Sequence, residues 1–232
     1  LATYVAKSGK KTLLVDFDPQ GNATSGFGIE KSQLEVNCYD LLMGETTADQ
    51  VVSSTMIDNL DIIPSNIDLA AAEVDLVSVP FRESALKRAL APIVDNYDYI
   101  FVDCPPSLGL ITLNALTASN GVIIPIQSEF FALEGLVQLM NTIKIVKQRL
   151  NPSLYINGVI LTMYDTRTTM SKQVTADIYK YFGDKVYAVP VPRNIKLVES
   201  PSFGVPVVLH APHASGALAY EALAKQFLNR EE

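Results

Sequence analysis

The chain has 232 residues, of which 48% are hydrophobic and 19% charged, with a formal net charge of −7. That apolar content supplies one large core, and with no repeats or low-complexity stretches it excludes a fibrous, disordered or solenoid protein, so residues 1–232 read as a single domain. The acidic balance argues against a protein that coats nucleic acid with its whole surface, no run reaches membrane-spanning length, and Cys38 and Cys104 follow no metal or redox spacing and suit a reducing cytoplasm.

In chain order, Leu1–Lys7 reads as a helix ending at Ser8-Gly9. Thr12-Leu13-Leu14-Val15-Asp16-Phe17-Asp18 is a short apolar run that delivers two aspartates and a Pro19-Gln20-Gly21-Asn22 turn, the pattern of a buried parallel strand with a ligand-facing carboxyl end. Strands are further predicted near 60–63, 98–103, 121–126, 155–162 and 186–190. Helices are predicted near 66–78, 82–95, 109–118, 131–149, 169–182 and 214–229, with short helical turns near 38–43 and 194–199. In helix 131–149 the apolar positions Leu133, Leu136, Val137, Met140, Ile143, Val146 and Leu150 mark the buried stripe. Alternating strands and helices predict an α/β fold of three layers, a mostly parallel twisted sheet covered on both faces.

The run Tyr97–Asp103 followed by Cys104-Pro105-Pro106-Ser107 has the shape of a Walker B strand, whose terminal carboxylate holds Mg²⁺, directly or through water, beside nucleotide phosphates; Cys104 is expected to be buried behind it. The plainer alternative for these aspartates is a structural strand-end carboxylate. Two such strands in one chain favour the phosphate chemistry.

VDFDPQGNATSGFG, FVDCPPSLG, VIIPIQSEFFALEGL and VPRNIKLVESPSFG, in that order, resemble the ParA/Soj family of deviant Walker ATPases, which partition bacterial chromosomes and plasmids. The similarity runs from Leu1 to about Phe227. It implies a P-loop NTPase fold, ATP and Mg²⁺ as cofactors, and hydrolysis stimulated by a ParB-like partner. It further implies a homodimer formed with ATP, DNA bound without sequence preference, and a cytoplasmic, nucleoid-associated protein with no membrane role. By the same resemblance Asp18 orients or activates the attacking water, Asp16 supports the phosphate loop and the Mg²⁺ water shell, and Asp103 reaches Mg²⁺. Pro192 and Asn194 contact adenine, with Met163 backbone as the other wall; Asn194 is equally a helix N-cap. Residues 125–131 resemble the segment facing the partner subunit. The family opens with a strand and a loop of the form KGGVGKTT. Neither stands in this sequence, so roughly 25–30 residues of an opening βαβ unit are expected to be missing, and the chain alone to bind ATP poorly or not at all.

Charge is unevenly distributed. Residues 144–196 hold nine Lys/Arg against three acids, leaving nine against 22 elsewhere. Such a stretch is the footprint of sequence-independent phosphate contact, or else a set of solvated helix faces. Arg193 matches a DNA-contacting arginine of the family, and Lys196, Lys172 and Lys147 are further candidates, with Lys144 beside them. At 210–216, where relatives carry arginines, the sequence reads HAPHASG; its His210/His213 pair has too few ligands for a metal site. Two rivals stand: a MinD-like membrane switch, which needs a basic amphipathic C-terminal helix that the acid-tipped ending does not supply, and a cargo-positioning relative with weak or no DNA binding.

Overall fold

The computed structural model describes residues 1–128, 132–165 and 167–231, and of 132–134 the backbone alone. The chain forms two compact units, one from Ala2–Ser119 with Ser200–Pro206, the other from Asn120–Glu199 with the segment from Val207 onward.

The first unit is built on a four-stranded sheet. Helix α1 (Ala2–Lys7) leads into β1 (Thr12–Asp16), followed by α2 (Asn22–Gly26), α3 (Cys38–Met43), α4 (Ala48–Val51), β2 (Ser53–Ser54) and β3 (Leu60–Ile63). Then come α5 (Ala72–Asp75), α6 (Ala85–Leu90), β4 (Tyr99–Asp103) and α7 (Leu110–Ala118). The order is β2-β3-β1-β4, with β1 parallel to both β3 and β4 and the short β2 an antiparallel edge. A strand flanked on both sides and covered on both faces is apolar on both, so Leu13 and Val15 are fully buried on one side of the pleat while Leu14 takes the other. Leu13 and Val15 join Phe17, Cys38, Leu41, Ile63, Leu69, Leu76, Leu86 and Ile111 in one core. A buried polar residue fixes two helices in it: Asn114 of α7 accepts from the Leu86 amide (3.1 Å) and donates to the Arg82 carbonyl (2.9 Å), so α6 cannot slide along α7 without orphaning a buried group.

Two expected helices are shorter or more broken than the sequence suggested. Residues 66–78 wind as a 3₁₀ turn, α5 and a second 3₁₀ turn. The predicted 82–95 helix is α only over α6, with 3₁₀ turns at 82–84 and 94–96; Ala91 still has helical backbone, and Pro92 after it has no amide to donate. The short elements α2, α4 and β2 went unpredicted, being too brief to show a period.

The second unit holds β5 (Gly121–Gln127), α8 (Ala132–Arg149), β6 (Tyr155–Thr162), α9 (Thr169–Phe182), α10 (Ile195–Glu199), α11 (Val207–His210) and α12 (Ser215–Glu231). β5 and β6 pair in parallel, with an irregularity between Val122 and Ile123. The predicted strand 186–190 does not form; Val186 makes a single bridge to Val159. The Tyr187 amide still bonds Val159 (2.8 Å), but the Ala188 amide goes to the Gln226 side chain of α12 (3.1 Å), and Pro190 and Pro192 have none to give. On α8, Ile143 and Val146 are buried as expected, whereas Val137, placed on the buried stripe by its spacing, is 61% exposed. Gly158 in β6 is required by close approach: a Cβ there would collide with the Tyr187 ring. Tyr187 crosses at that point and carries the Arg230 guanidinium on its face, 4.1 Å from the ring centroid. The two terminal guanidinium nitrogens donate to the carbonyls of Asn157, Lys185, Asp184 and Val186 at 2.8–3.2 Å, locking the end of α12 to β6 and the 184–187 turn. No helix among the described residues is long and apolar enough to cross a membrane.

Candidate active site

The first unit brings together the three carboxylates singled out in the sequence. Asp16 ends β1 and Asp103 ends β4, and the two are register partners on adjacent parallel strands, which sets their Cα atoms about 4.8 Å apart on one face of the sheet. The Phe17 amide donates to the Asp103 carbonyl (2.7 Å), extending the ladder to the root of Asp18. Asp18 then folds back in an Asx turn: its Oδ1 accepts from the Gln20 amide (2.9 Å) and its carbonyl from the Gly21 amide (2.9 Å), leaving Oδ2 outside the turn. Gly21 adopts φ 58°, a left-handed conformation, and a Cβ on it would lie 2.7 Å from the Ser65 carbonyl oxygen, so the turn admits only glycine.

Asp16 is fully buried and its two oxygens differ. Oδ2 accepts from both the amide and the hydroxyl of Thr24, each at 2.7 Å, and the Thr24 Oγ1 accepts in turn from the Ser65 amide (2.9 Å). Oδ1 is buried without a hydrogen-bond partner among the described residues. Burial raises the Asp16 pKa against the lowering effect of the two Thr24 bonds. Asp103, open to solvent at the rim but ringed by protein, is pushed up to about 6, by burial first and then by the charges of Asp16 and Asp18. A buried, half-satisfied carboxylate beside two others is an arrangement that a cation relieves. The donor set is all oxygen and therefore suits a hard ion such as Mg²⁺. Among the described residues no three His, Cys, Asp or Glu side chains stand close enough to form a direct ligand shell, so an ion here would keep most of its waters. Cys104, expected to be buried, is exposed beside Asp103, because the chain has already left the sheet.

In the second unit the sequence-predicted Met163, Pro192 and Asn194 also meet. Tyr164 and Pro192 form a parallel bridge; the Tyr164 amide donates to the Val191 carbonyl (3.0 Å) and the Arg193 amide to the Tyr164 carbonyl (3.3 Å). Met163 sits at φ 53°, costing about 1–2 kcal/mol for a non-glycine residue, and turns the chain out of β6 toward this bridge. Asn194 caps α10, its Oδ1 accepting from the Lys196 amide (2.9 Å) while its Nδ2 donates to Ser215 Oγ (2.8 Å). The N-cap alternative read from the sequence is therefore realised.

Residues 1–156 match a family model described as an AAA domain. Sporulation initiation inhibitor protein Soj of Bacillus subtilis is 52% identical over 226 residues, covering 97% of this chain and 89% of that protein. The chromosome partitioning protein ParA of Caulobacter vibrioides is 46% identical over 233 residues, covering 100% of this chain and 87% of the relative. The chain belongs to the ParA/Soj family. Its fold matches the solved structure of cobyrinic acid a,c-diamide synthase from Mycobacterium smegmatis with bound ADP and magnesium, with a TM-score of 0.86 and 36% identity, over 99% of this chain and 86% of the other.

In this ParA/Soj protein one of the candidate DNA contacts stands in an ion pair among the described residues. Lys147 and Lys172 are exposed on α8 and α9. Lys196, however, is paired with Glu199 (2.8 Å), which also lies 3.8 Å from His210. Arg193 is exposed, and the Asp165 carboxyl is held well below the usual range first by hydrogen bonds from Arg167 and only last by the Arg193 charge. Of the segment expected to face a partner subunit, Pro125–Ser128 complete or follow β5, while residues 129–131 lie outside the described residues.

The sequence reading missed the residues that hold this ParA/Soj rim in shape. Thr24 and Ser65 orient Asp16. Glu73 caps α7, its carboxylate accepting from the Leu110 (2.8 Å) and Ile111 (3.1 Å) amides, and Thr112 Oγ1 bonds the Ser107 carbonyl, so the loop after Asp103 is tied at its far end. Thr24 stood inside the quoted DFDPQGNAT motif and was within reach of sequence reasoning. Ser65 lies 41 residues from Thr24 and Glu73 lies 37 from Leu110, with no local signal to join them.

Proposed function

We propose that this protein is a Mg²⁺-dependent ATPase that partitions chromosomal or plasmid DNA. The observation that carries the reading is the rim of β1 and β4: three carboxylates side by side, one with a buried, unpartnered oxygen. In this role Asp16 and Asp103 hold the water shell of a nucleotide-bound Mg²⁺, and Asp18, whose Oδ2 lies outside its Asx turn, orients the attacking water. Mg²⁺ neutralises phosphate charge when bound. The bridged loops at Met163 and at Pro192–Asn194 receive the base. The ADP–magnesium complex of the Mycobacterium smegmatis protein and the names of the Soj and ParA relatives support the assignment.

ATP binding then drives homodimer formation, the dimer holds DNA without sequence preference through Arg193, Lys172, Lys147 and Lys196, and a ParB-like partner stimulates hydrolysis and releases it at the nucleoid. Weaker DNA binding is favoured by one observation, that Lys196 already pairs with Glu199, and it points to a cargo-positioning relative as the second reading. The test is a salt titration of DNA binding by the full-length protein with and without MgATP, alongside steady-state hydrolysis. ATP-dependent binding whose log affinity falls with log salt at a slope of several units supports partitioning. Hydrolysis without ATP-dependent DNA binding at low salt selects the cargo-positioning reading, and no Mg²⁺-dependent hydrolysis refutes both.

A further inference from the structure

The turn that carries Asp18 is clamped by a residue distant from it in the motif. Lys31 extends its ammonium over the turn and donates to the Gln20 carbonyl (2.7 Å). Its stem crosses Gly21 so closely that a Cβ there would lie 2.7 Å from Lys31 Cδ, and the same Cβ would lie 2.7 Å from the Ser65 carbonyl oxygen. The lysine stem and the Ser65 backbone thus both close on the Cβ side of Gly21. The root of Lys31 is itself fixed, since it opens a 3₁₀ turn, Lys31–Gln33, capped by Glu30, whose carboxylate accepts from the Ser32 hydroxyl (3.0 Å). Lys31 forms no ion pair among the described residues; its charge is directed at a backbone carbonyl two residues from Asp18.

From this geometry we propose that Lys31 is a positioning residue for hydrolysis: by packing its stem against Gly21 and sealing the Gln20 carbonyl it fixes the Asx turn that aims Asp18. The inference rests on the ATPase reading above for its chemical consequence, and on the structure alone for the clamp. A surface hydrogen bond from a lysine to a neutral carbonyl adds little to folding, whereas an attacking water misplaced by about 1 Å loses roughly a hundredfold in rate. The signature of the role is a rate effect without a stability effect.

The experiment uses the full-length protein with Lys31→Met, which keeps the stem but removes the ammonium, and Lys31→Arg, which restores a donor. Hydrogen exchange at the Gln20 and Gly21 amides, both bonded to Asp18, should quicken about tenfold in K31M and return to within about threefold of wild type in K31R. Single-turnover ATP hydrolysis should slow about tenfold in K31M with the KM for MgATP within about twofold, and the melting temperature should move by less than about 1 °C. Unchanged exchange in K31M overturns the clamp whatever the activity. Faster exchange with an unchanged hydrolysis rate overturns the positioning role. A fall in melting temperature that K31R does not rescue reduces Lys31 to a structural residue and overturns it too. A wild-type protein that hydrolyses no ATP refutes the ATPase reading instead, and the exchange data still decide the clamp.

Discussion

Replacing Thr24 with valine removes one hydroxyl and almost nothing else, and its effect follows from three bonds. The Thr24 hydroxyl donates to the buried Asp16 carboxylate and accepts from the buried Ser65 amide. T24V takes a charge-assisted bond from Asp16, about 1.5–3 kcal/mol, and strands the Ser65 N–H, about 1–3 kcal/mol more. The Thr24 amide bond to Asp16 survives, and valine fills the same volume, so no cavity offsets or adds to this. Allowing for relaxation, the loss should be about 3 kcal/mol. With a urea slope of about 2–3 kcal/mol per molar, the unfolding midpoint of the first unit should fall by roughly 1 M. T24S, which keeps the hydroxyl, should fall by less than about 0.4 M. The Asp16→Asn variant should couple to T24V in a double-mutant cycle by about 1 kcal/mol or more. A T24V midpoint within about 0.2 M of wild type, or additive T24V and D16N effects, would refute the claim that Thr24 holds Asp16.

Three further outcomes follow from other contacts. Gly21→Ala forces a left-handed alanine against the Ser65 carbonyl and should destabilise the first unit by about 2–4 kcal/mol in the same urea assay, with an unshifted midpoint counting against this close approach. Arg230→Met breaks four carbonyl contacts and the Tyr187 stack and should cost about 2–4 kcal/mol in thermal unfolding, with Arg230→Lys intermediate because it lacks the planar fork. In chelated, nucleotide-free protein Asp103 titrates at about 6 when folded and near 3.8 when unfolded, so between those values the folded state holds the extra proton and stability must fall as pH rises. The drop across that window should be of the order of 1 kcal/mol, less than the full linkage value because Asp103 is open to solvent, and Asp103→Asn should abolish it in pH-resolved melts.

How much of this was legible in the sequence depends on the range of the interaction. The apolar run into Asp16 and the one into Asp103 announced parallel strands, and register then placed their carboxylates together. Helices α3, α8, α9 and α12 fell within a few residues of their predicted bounds, since periodicity and caps are local. Local signals failed where the deciding partner was remote. Residues 186–190 have the composition of a strand, yet the Ala188 amide is diverted to Gln226 and the prolines donate nothing. Val137 has helical spacing for burial but lies on the outer side of α8. Within the rim the charged residues were readable and their supports were not: Ser65 and Glu73 reach the site only through the fold.

The measurement that tests the central claim most directly is single-turnover ATP hydrolysis by full-length Asp18→Asn protein, with MgATP binding measured in parallel. The substituted side chain retains an oxygen for the Gln20 amide but loses the charge that orients water, so hydrolysis should fall at least about a hundredfold while MgATP affinity stays within about threefold. Hydrolysis at the wild-type rate in that variant would contradict the assignment of this carboxylate rim as the hydrolytic site.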